Sequence, residues 1–263
     1  MTTKHYLIAG MICLLGLSTA RAADVENKIR LSSGFDFSSG DYGDVEDTET
    51  IYIPLTVKLE HFPWLAKVTI PYLSTEGPGS VIGAGDSVVV VGDAGFETVS
   101  ESGLGDVIAA LTYIIDPWTD QAPYVELSAK VKLSTADEEK GLGTGESDYY
   151  AQLDVGRGFG DLSPFATLGY QVMGDLGEVD FNNRLYASLG LDMRLKPSLS
   201  VGLVGDFKEA SLDTTDDILE AVGYFNMKLA KEWSMNIYGV SGFTDSSVDY
   251  GVGMQLTYKM PTH

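Results

Sequence analysis

The chain has 263 residues, a formal net charge of −21 and a single cysteine. Acidic residues outnumber basic ones by 38 to 17, which excludes bulk attraction to nucleic acid or to an anionic leaflet. Because that cysteine, Cys13, lies in the apolar opening segment, the rest of the chain has no disulfide framework, no thiolate chemistry and no cysteine metal site.

The opening segment, MTTKHYLIAGMICLLGLSTARA, starts with Lys4 and His5, runs apolar from Leu7 to Leu17 and ends in Ala20-Arg21-Ala22. A short basic start, an apolar stretch and a small-x-small site predict a secretory signal peptide cut after Ala22. The apolar stretch is shorter than the roughly 20 residues a membrane helix needs, and no lipobox surrounds Cys13. Removing residues 1–22 takes away Lys4 and Arg21, which leaves 15 basic against 38 acidic residues and a charge of −23. The predicted organisation is a leader at 1–22 and one domain at 23–263.

After the leader, apolar and polar residues alternate with a period of two, the side-chain period of a strand. Residues 27–37 set Ile29, Leu31, Phe35 and Phe37 against Lys28, Arg30 and Asp36. Residues 50–60 set Ile51 to Leu59 against Thr56, Lys58 and Glu60, and residues 64–73 set Trp64, Val68 and Ile70 against Lys67 and Thr69. A less polar inner face marks 105–116. In 123–134, Val125, Leu127, Ala129, Val131 and Leu133 oppose Glu126, Ser128, Lys130 and Lys132. The pattern continues through 148–157 with Asp154, 162–173, 183–195 with Arg184, Asp192 and Arg194, and 198–208 with Asp206 and Lys208. It ends in 218–229 with Glu220 and Lys228, 233–243, and 248–260 with Lys259. These are twelve strands of the length that crosses a tilted bilayer path.

The connections alternate in length. Tight ones occur at 61-HFP-63, 117-PWTDQ-121, 158-GFGDL-162, 196-KP-197 and 230-AKE-232; the others are mostly long and acidic, such as 38-SSGDYGDVEDTE-49 and 74–104. Short turns alternating with long loops is the asymmetry of an outer-membrane barrel, with the short turns periplasmic. Phe62, Trp64, Trp118, Phe159 and Trp233 all fall at short-turn ends, where amphipathic rings form an interface girdle. Phe35, Tyr72, Tyr149, Phe181, Phe243 and Tyr250 are candidates for a second girdle at the other end. An open sheet edge in lipid would strand its backbone groups, so the sheet must close. The predicted fold is an all-β, closed antiparallel transmembrane β-barrel of about twelve strands in the bacterial outer membrane, in contact with its lipid and lipopolysaccharide. A secreted soluble sandwich is the rival architecture.

Three segments, 102-SGLGD-106, 131-VKLSTADEEKGLGTGESDY-149 and 163-SPFATLGY-170, carry a resemblance to a known family. The chain resembles the MetA-pathway of phenol degradation family, outer-membrane barrels classed as transporters. The family usually has Pro-Thr-Gly where this chain has Ser134-Thr135-Ala136. The resemblance spans most of the chain after the leader. It implies a barrel and the passage of small compounds, aromatic ones among them, and no catalytic residues.

Residue by residue, the rival chemistries are poorly supplied. GLGTG at 141–145 lacks the Lys-Ser/Thr of a phosphate-binding loop, so its glycines read as turning points. After the leader only His61 and His263 are histidines, one in a predicted turn and one terminal, so neither can orient a serine at the outer rim and no enzyme is predicted. Asp41, Asp44, Glu46, Asp47 and Glu49 do not have calcium-loop spacing and read as a solvated anionic face, with weak divalent bridging to neighbouring lipopolysaccharide as the alternative. The apolar run Val88 to Val91 in the loop 78–104 folds into the barrel mouth or forms an extra hairpin above it.

The functional surface is then the inner wall. Its candidate lumen-lining residues are Arg30, Lys58, Lys67, Glu126, Lys130, Lys132, Asp154, Arg184, Asp192, Arg194, Asp206, Lys208, Glu220, Lys228 and Lys259, joined by Glu60, a wall of ten basic and six acidic side chains. Twelve strands enclose a space between the filled eight-stranded barrel and the open sixteen-stranded porin. The expected activity is passive or gated passage of small solutes, without cofactor; a non-conducting barrel that presents acidic loops is the alternative.

Overall fold

The structure, a computed structural model, describes residues 27–79, 81–83, 88–90, 99–119, 121–175 and 179–261. The predicted leader at 1–22, the rest of the run from 84 to 96 and His263 lie outside them. In chain order the strands are β1 (Lys28–Gly40), β2 (Thr48–His61), β3 (Trp64–Gly77), β4 (Val81–Gly83), β5 (Val88–Val90), β6 (Val99–Leu104), β7 (Val107–Ile115) and β8 (Tyr124–Leu133). They continue as β9 (Asp148–Gly156), β10 (Leu162–Val172), β11 (Arg184–Lys196), β12 (Leu199–Lys208), β13 (Ile218–Lys228), β14 (Trp233–Gly242) and β15 (Tyr250–Lys259).

Every pairing in the large sheet is antiparallel, and the sheet closes. From β7 to β15 each strand pairs with the next; β15 returns to β1, β1 pairs with β2, β2 with β3, and β3 with β7. β6 and β7 share one place in this ring, which makes it a twelve-position barrel. Thr69 faces Ile108 but Tyr72 faces Leu104, so the register slips by one residue across Gly105-Asp106. That extra residue is a bulge, pinned by Gly105 N donating to Pro71 O at 3.0 Å.

The alternation read from sequence sorts the side chains as expected. Ile53, Leu55, Val57, Leu59, Val68, Ile70, Leu168, Leu189 and Leu203 are exposed on the outer surface, while Lys58, Lys67, Glu126, Lys132, Asp154 and Arg184 are buried on the inner one. At the short-turn end Trp64, Trp118, Phe159 and Trp233 are exposed and Phe62 is half-buried. Trp64 packs on Tyr113 and Trp233 on Tyr258, with ring centroids 4.9 and 4.8 Å apart. Phe181 departs from the predicted second girdle. It is buried with Met173 against Val179 and Leu212, because Asp175 accepts the Phe181 N–H and folds the loop inward.

Glycine explains how bulky rings fit inside. Tyr124, Phe165, Tyr186, Tyr224 and Tyr238 point inward, each directly opposite a glycine on a paired strand: Gly156, Gly190, Gly169, Gly202 and Gly253. Each ring covers its glycine so closely that a Cβ there would lie 2.0–2.3 Å from a ring carbon. Phe165 and Tyr224 join Val204 and Val222 in an apolar cluster on one side of the interior, with Tyr124, Tyr238 and Val240 packed against it.

Candidate functional site

In a closed sheet, residues that face each other across successive pairs form rows perpendicular to the strands. Because barrel strands tilt, such rows climb from one mouth to the other. One inward row consists of Lys259, Arg30, Lys58, Lys67, Ala110, Lys130, Tyr150, Gln171 and Arg184. It starts at the short-turn end of β15 and finishes at the long-loop end of β11. Six of its nine members are basic.

A second row runs Glu126, Asp154, Thr167, Ser188, Asp206 and Glu220, and four of these six are acidic. Between the two lies a largely neutral stretch, Thr112, Ser128, Gln152, Gly169 and Tyr186, bounded by Glu60 and Lys208. The wall is therefore charge-segregated: a cationic track and an anionic track wind upward side by side.

The contacts differ between tracks. Arg30 Nε lies 2.9 Å from Glu60 Oε1, and Lys58 Nζ lies 3.4 Å from the same oxygen. Lys130 Nζ sits 3.8 Å above the Tyr150 ring centroid, a cation–π contact. Arg184 Nε donates to Gln171 Oε1 at 2.8 Å. The carboxylates of the anionic track bond to neutral donors instead. Asp154 accepts from Thr167 Oγ1 at 2.6 Å and from Gln152 Nε2 at 2.7 Å, Asp206 accepts from Ser188, and Glu220 accepts from Val248 N at 3.3 Å. Glu126 Oε2 is buried and has no hydrogen-bond partner among the described residues.

Lys132 belongs to a third arrangement, at the long-loop mouth. Its Nζ lies 3.5 Å from Asp106 and 3.4 Å from Asp148, and it donates to Thr144 Oγ1 at 2.7 Å. Lys132 is 1% exposed, Asp106 and Asp148 0%. Asp106 also accepts the N–H groups of Thr135 and Ala136, both at 2.9 Å, and Asp148 that of Gly174 at 3.0 Å. These bonds fold the 134–147 loop over the mouth. Gly141 and Gly145 turn it with φ of 66° and 72°, which glycine adopts without a Cβ penalty. Leu142 then packs with Tyr52 and Leu73, and Gly141 O accepts the Gly83 N–H at 3.0 Å. β4 and β5 pair as a small hairpin, with Val81 against Tyr42 and Val248. The hairpin expected for this loop forms, while Val91 of the apolar run lies outside the described residues.

The structure scatters the remaining predicted wall residues. Asp192 accepts from Ser200 and from Tyr224 beside the apolar cluster. Arg194 turns to the short-turn rim and pairs with Asp161 at 3.0 Å. Lys228 is exposed at the same rim. Three acidic side chains add to the inner face: Asp36, which accepts from Tyr238, and Asp106 and Asp148 in the latch. The six acidic residues counted from sequence become nine, while Arg194 and Lys228 leave the wall for the rim, so the predicted basic excess disappears. Asp36, Asp106 and Asp148 all share the inward parity of the segments that carry them, Asp106 with Ile108 and Thr112. His61, expected in the turn, instead ends β2 opposite Trp64 at the short-turn side, its Nδ1 2.5 Å from Asn27 Oδ1.

Solved structures resemble this architecture. An outer membrane channel from Pseudomonas putida F1 superposes with a TM-score of 0.64 at 12% identity, covering 91% of this chain and 97% of that one. The NanC porin gives 0.56 at 12%, covering 88% and 100%. The translocator domain of the autotransporter NalP from Neisseria meningitidis gives 0.51 at 11%, covering 90% and 89%. The fold is that of outer-membrane barrels. No protein-family model matches the chain and no curated protein matches it, so the phenol-degradation resemblance rests on the three segments that carry it.

Proposed function

We propose that the chain is an outer-membrane channel for small solutes. The observation that carries this reading is the cationic row running from one mouth to the other inside a closed barrel. A barrel that only fills a membrane gains nothing from charge continuity across its whole height, because buried charges are expensive. The leader at 1–22 exports the chain, the short turns face the periplasm, the exposed apolar band meets lipid, and the acidic loops face lipopolysaccharide and the environment. The 134–147 loop, held by Lys132, narrows the outer mouth. The family resemblance adds small aromatic compounds to the candidates. With tracks of both signs on the wall, an aromatic solute that passes carries polar or charged substituents. Full-length refolded protein in a planar bilayer tests the reading: discrete current steps are expected in potassium chloride. Stable insertion without current in any electrolyte would favour the non-conducting alternative.

A further inference from the structure

We propose that the lumen selects zwitterionic solutes, binding the anionic group on the cationic track and the cationic group on the anionic track. This rests on the channel reading and goes beyond it by naming the solute class.

The argument starts from spacing. The tracks are two inward rows apart, four residues along a strand, or roughly 13 Å at 3.3 Å per residue. Lysine and glutamate side chains reach inward from both, and the curvature of a twelve-position ring brings the tracks closer than their separation along the wall. Lys58 lies within electrostatic reach of Glu126 and of Lys67, and Glu126 of Lys58 and Asp154. At this level the space is bordered by opposite signs. A low-dielectric wall focuses such a field across the lumen.

A net anion gains at Lys58 and Lys67 but meets Glu126 and Asp154, and a net cation meets the converse. A zwitterion aligned across the space gains on both sides and recovers part of its own desolvation cost. Glu126 supplies an independent sign of a ligand. It is 2% exposed, yet its Oε2 lacks a donor. A buried carboxylate oxygen without a hydrogen-bond donor among the described residues is costly even with Lys58 in electrostatic reach, and the ammonium of a bound zwitterion is a donor of the right charge.

The test uses refolded full-length protein in liposomes, with swelling in γ-aminobutyrate against swelling in neutral erythritol. The wild type should admit γ-aminobutyrate several-fold faster. Glu126→Gln and Lys67→Gln should each lower that rate several-fold relative to the same variant's erythritol rate. Their reversal potentials across a potassium chloride gradient should move in opposite directions, Glu126→Gln toward anions and Lys67→Gln toward cations. Asp154→Asn, on the same track, replaces Glu126→Gln should that variant fail to show the heat-modifiable migration of a folded barrel. Equal wild-type rates for the two solutes, or track variants that pass γ-aminobutyrate at the wild-type rate, overturn the inference and leave the channel intact. Absence of swelling in erythritol as well overturns the channel reading itself.

Discussion

Gly202→Ala isolates the ring-over-glycine contact from every other feature of the barrel. Gly202 faces inward on β12, directly opposite Tyr224 on β13. A Cβ at this position would lie 2.1 Å from Tyr224 Cζ and 2.1 Å from Tyr224 Oη. The ring has nowhere to retreat: Tyr224 is 1% exposed, packs with Phe165, Val204 and Val222, and donates to Asp192 Oδ2 at 3.2 Å. Overpacking costs about 1–3 kcal/mol, and a lost hydrogen bond to a charged acceptor adds roughly 1.5–3 kcal/mol. Because the ring can surrender part of each, a net loss of about 2–4 kcal/mol is expected. Gly205, three residues along the same strand, points outward, and a Cβ there would meet nothing within 4 Å, so Gly205→Ala should stay within about 0.5 kcal/mol of wild type. Urea unfolding in lipid vesicles, followed by tryptophan fluorescence, measures both. In a Tyr224→Ala background the cost of Gly202→Ala should largely disappear, a coupling that a double-mutant cycle reads directly. Equal losses at 202 and 205, or a Gly202→Ala penalty that survives removal of the ring, would refute the reasoning.

Two further predictions probe the strand faces and the mouth. Leu189 is 72% exposed on the outer surface of β11, so Leu189→Arg should cost roughly 2–4 kcal/mol if it lies near the bilayer midplane, whereas Ser188→Arg, turned inward beside Asp206, should fold normally; equal damage from both, in the same urea assay, would contradict the facing. Lys132→Met leaves Asp106 and Asp148 buried without their cation, and breaking a buried pair from one side costs about 3–5 kcal/mol; trypsin should then cut faster after Lys140, which is exposed in the latched loop, and the triple variant with Asp106→Asn and Asp148→Asn should recover much of the loss. Unchanged stability and unchanged cutting would show that the latch does not hold the loop.

The strands were legible because their signal is local. A lipid-facing side chain needs no knowledge of its partner strand, so the alternation in 183–195 or 123–134 suffices to place Leu189 outside and Glu126 inside. Strand ends were less legible. β1 runs to Gly40 and β3 to Gly77, beyond the predicted ends, because polar residues such as Ser38, Ser39 and Thr75 pair above the apolar band, where composition no longer separates strand from loop. The bulge at Gly105-Asp106 breaks the period of two between β6 and β7, although Asp106 itself stays in phase with Ile108 and Thr112. Phe181 illustrates the same limit: an aromatic near a strand end serves a girdle or a loop core depending on a turn made by Asp175, six residues earlier.

The tracks could not be read from single strands, since they exist only across pairs. Arg30, Lys58, Lys67 and Lys130 are separated by up to a hundred residues of chain, and a slip of two residues in any one pairing would leave every side chain facing inward while moving it to another row. Facing depends on parity alone; the tracks depend on register. The same distinction tells what the resemblance carries. Two of its three segments meet in the structure where Asp106 of the first and Lys132 and Asp148 of the second form the latch, with Gly143 packed against Asp106. The third segment contributes Gly169 to the neutral stretch, Thr167 to the anionic track and Phe165 to the apolar cluster. The most specific block, GLGTG with its following Asp148, therefore shapes the mouth. Lys58, Lys67 and Glu126 lie outside all three segments, so two barrels could share the latch and carry different solutes. Exchanging the latch should alter access to the lumen, whereas exchanging the tracks should alter what the lumen prefers.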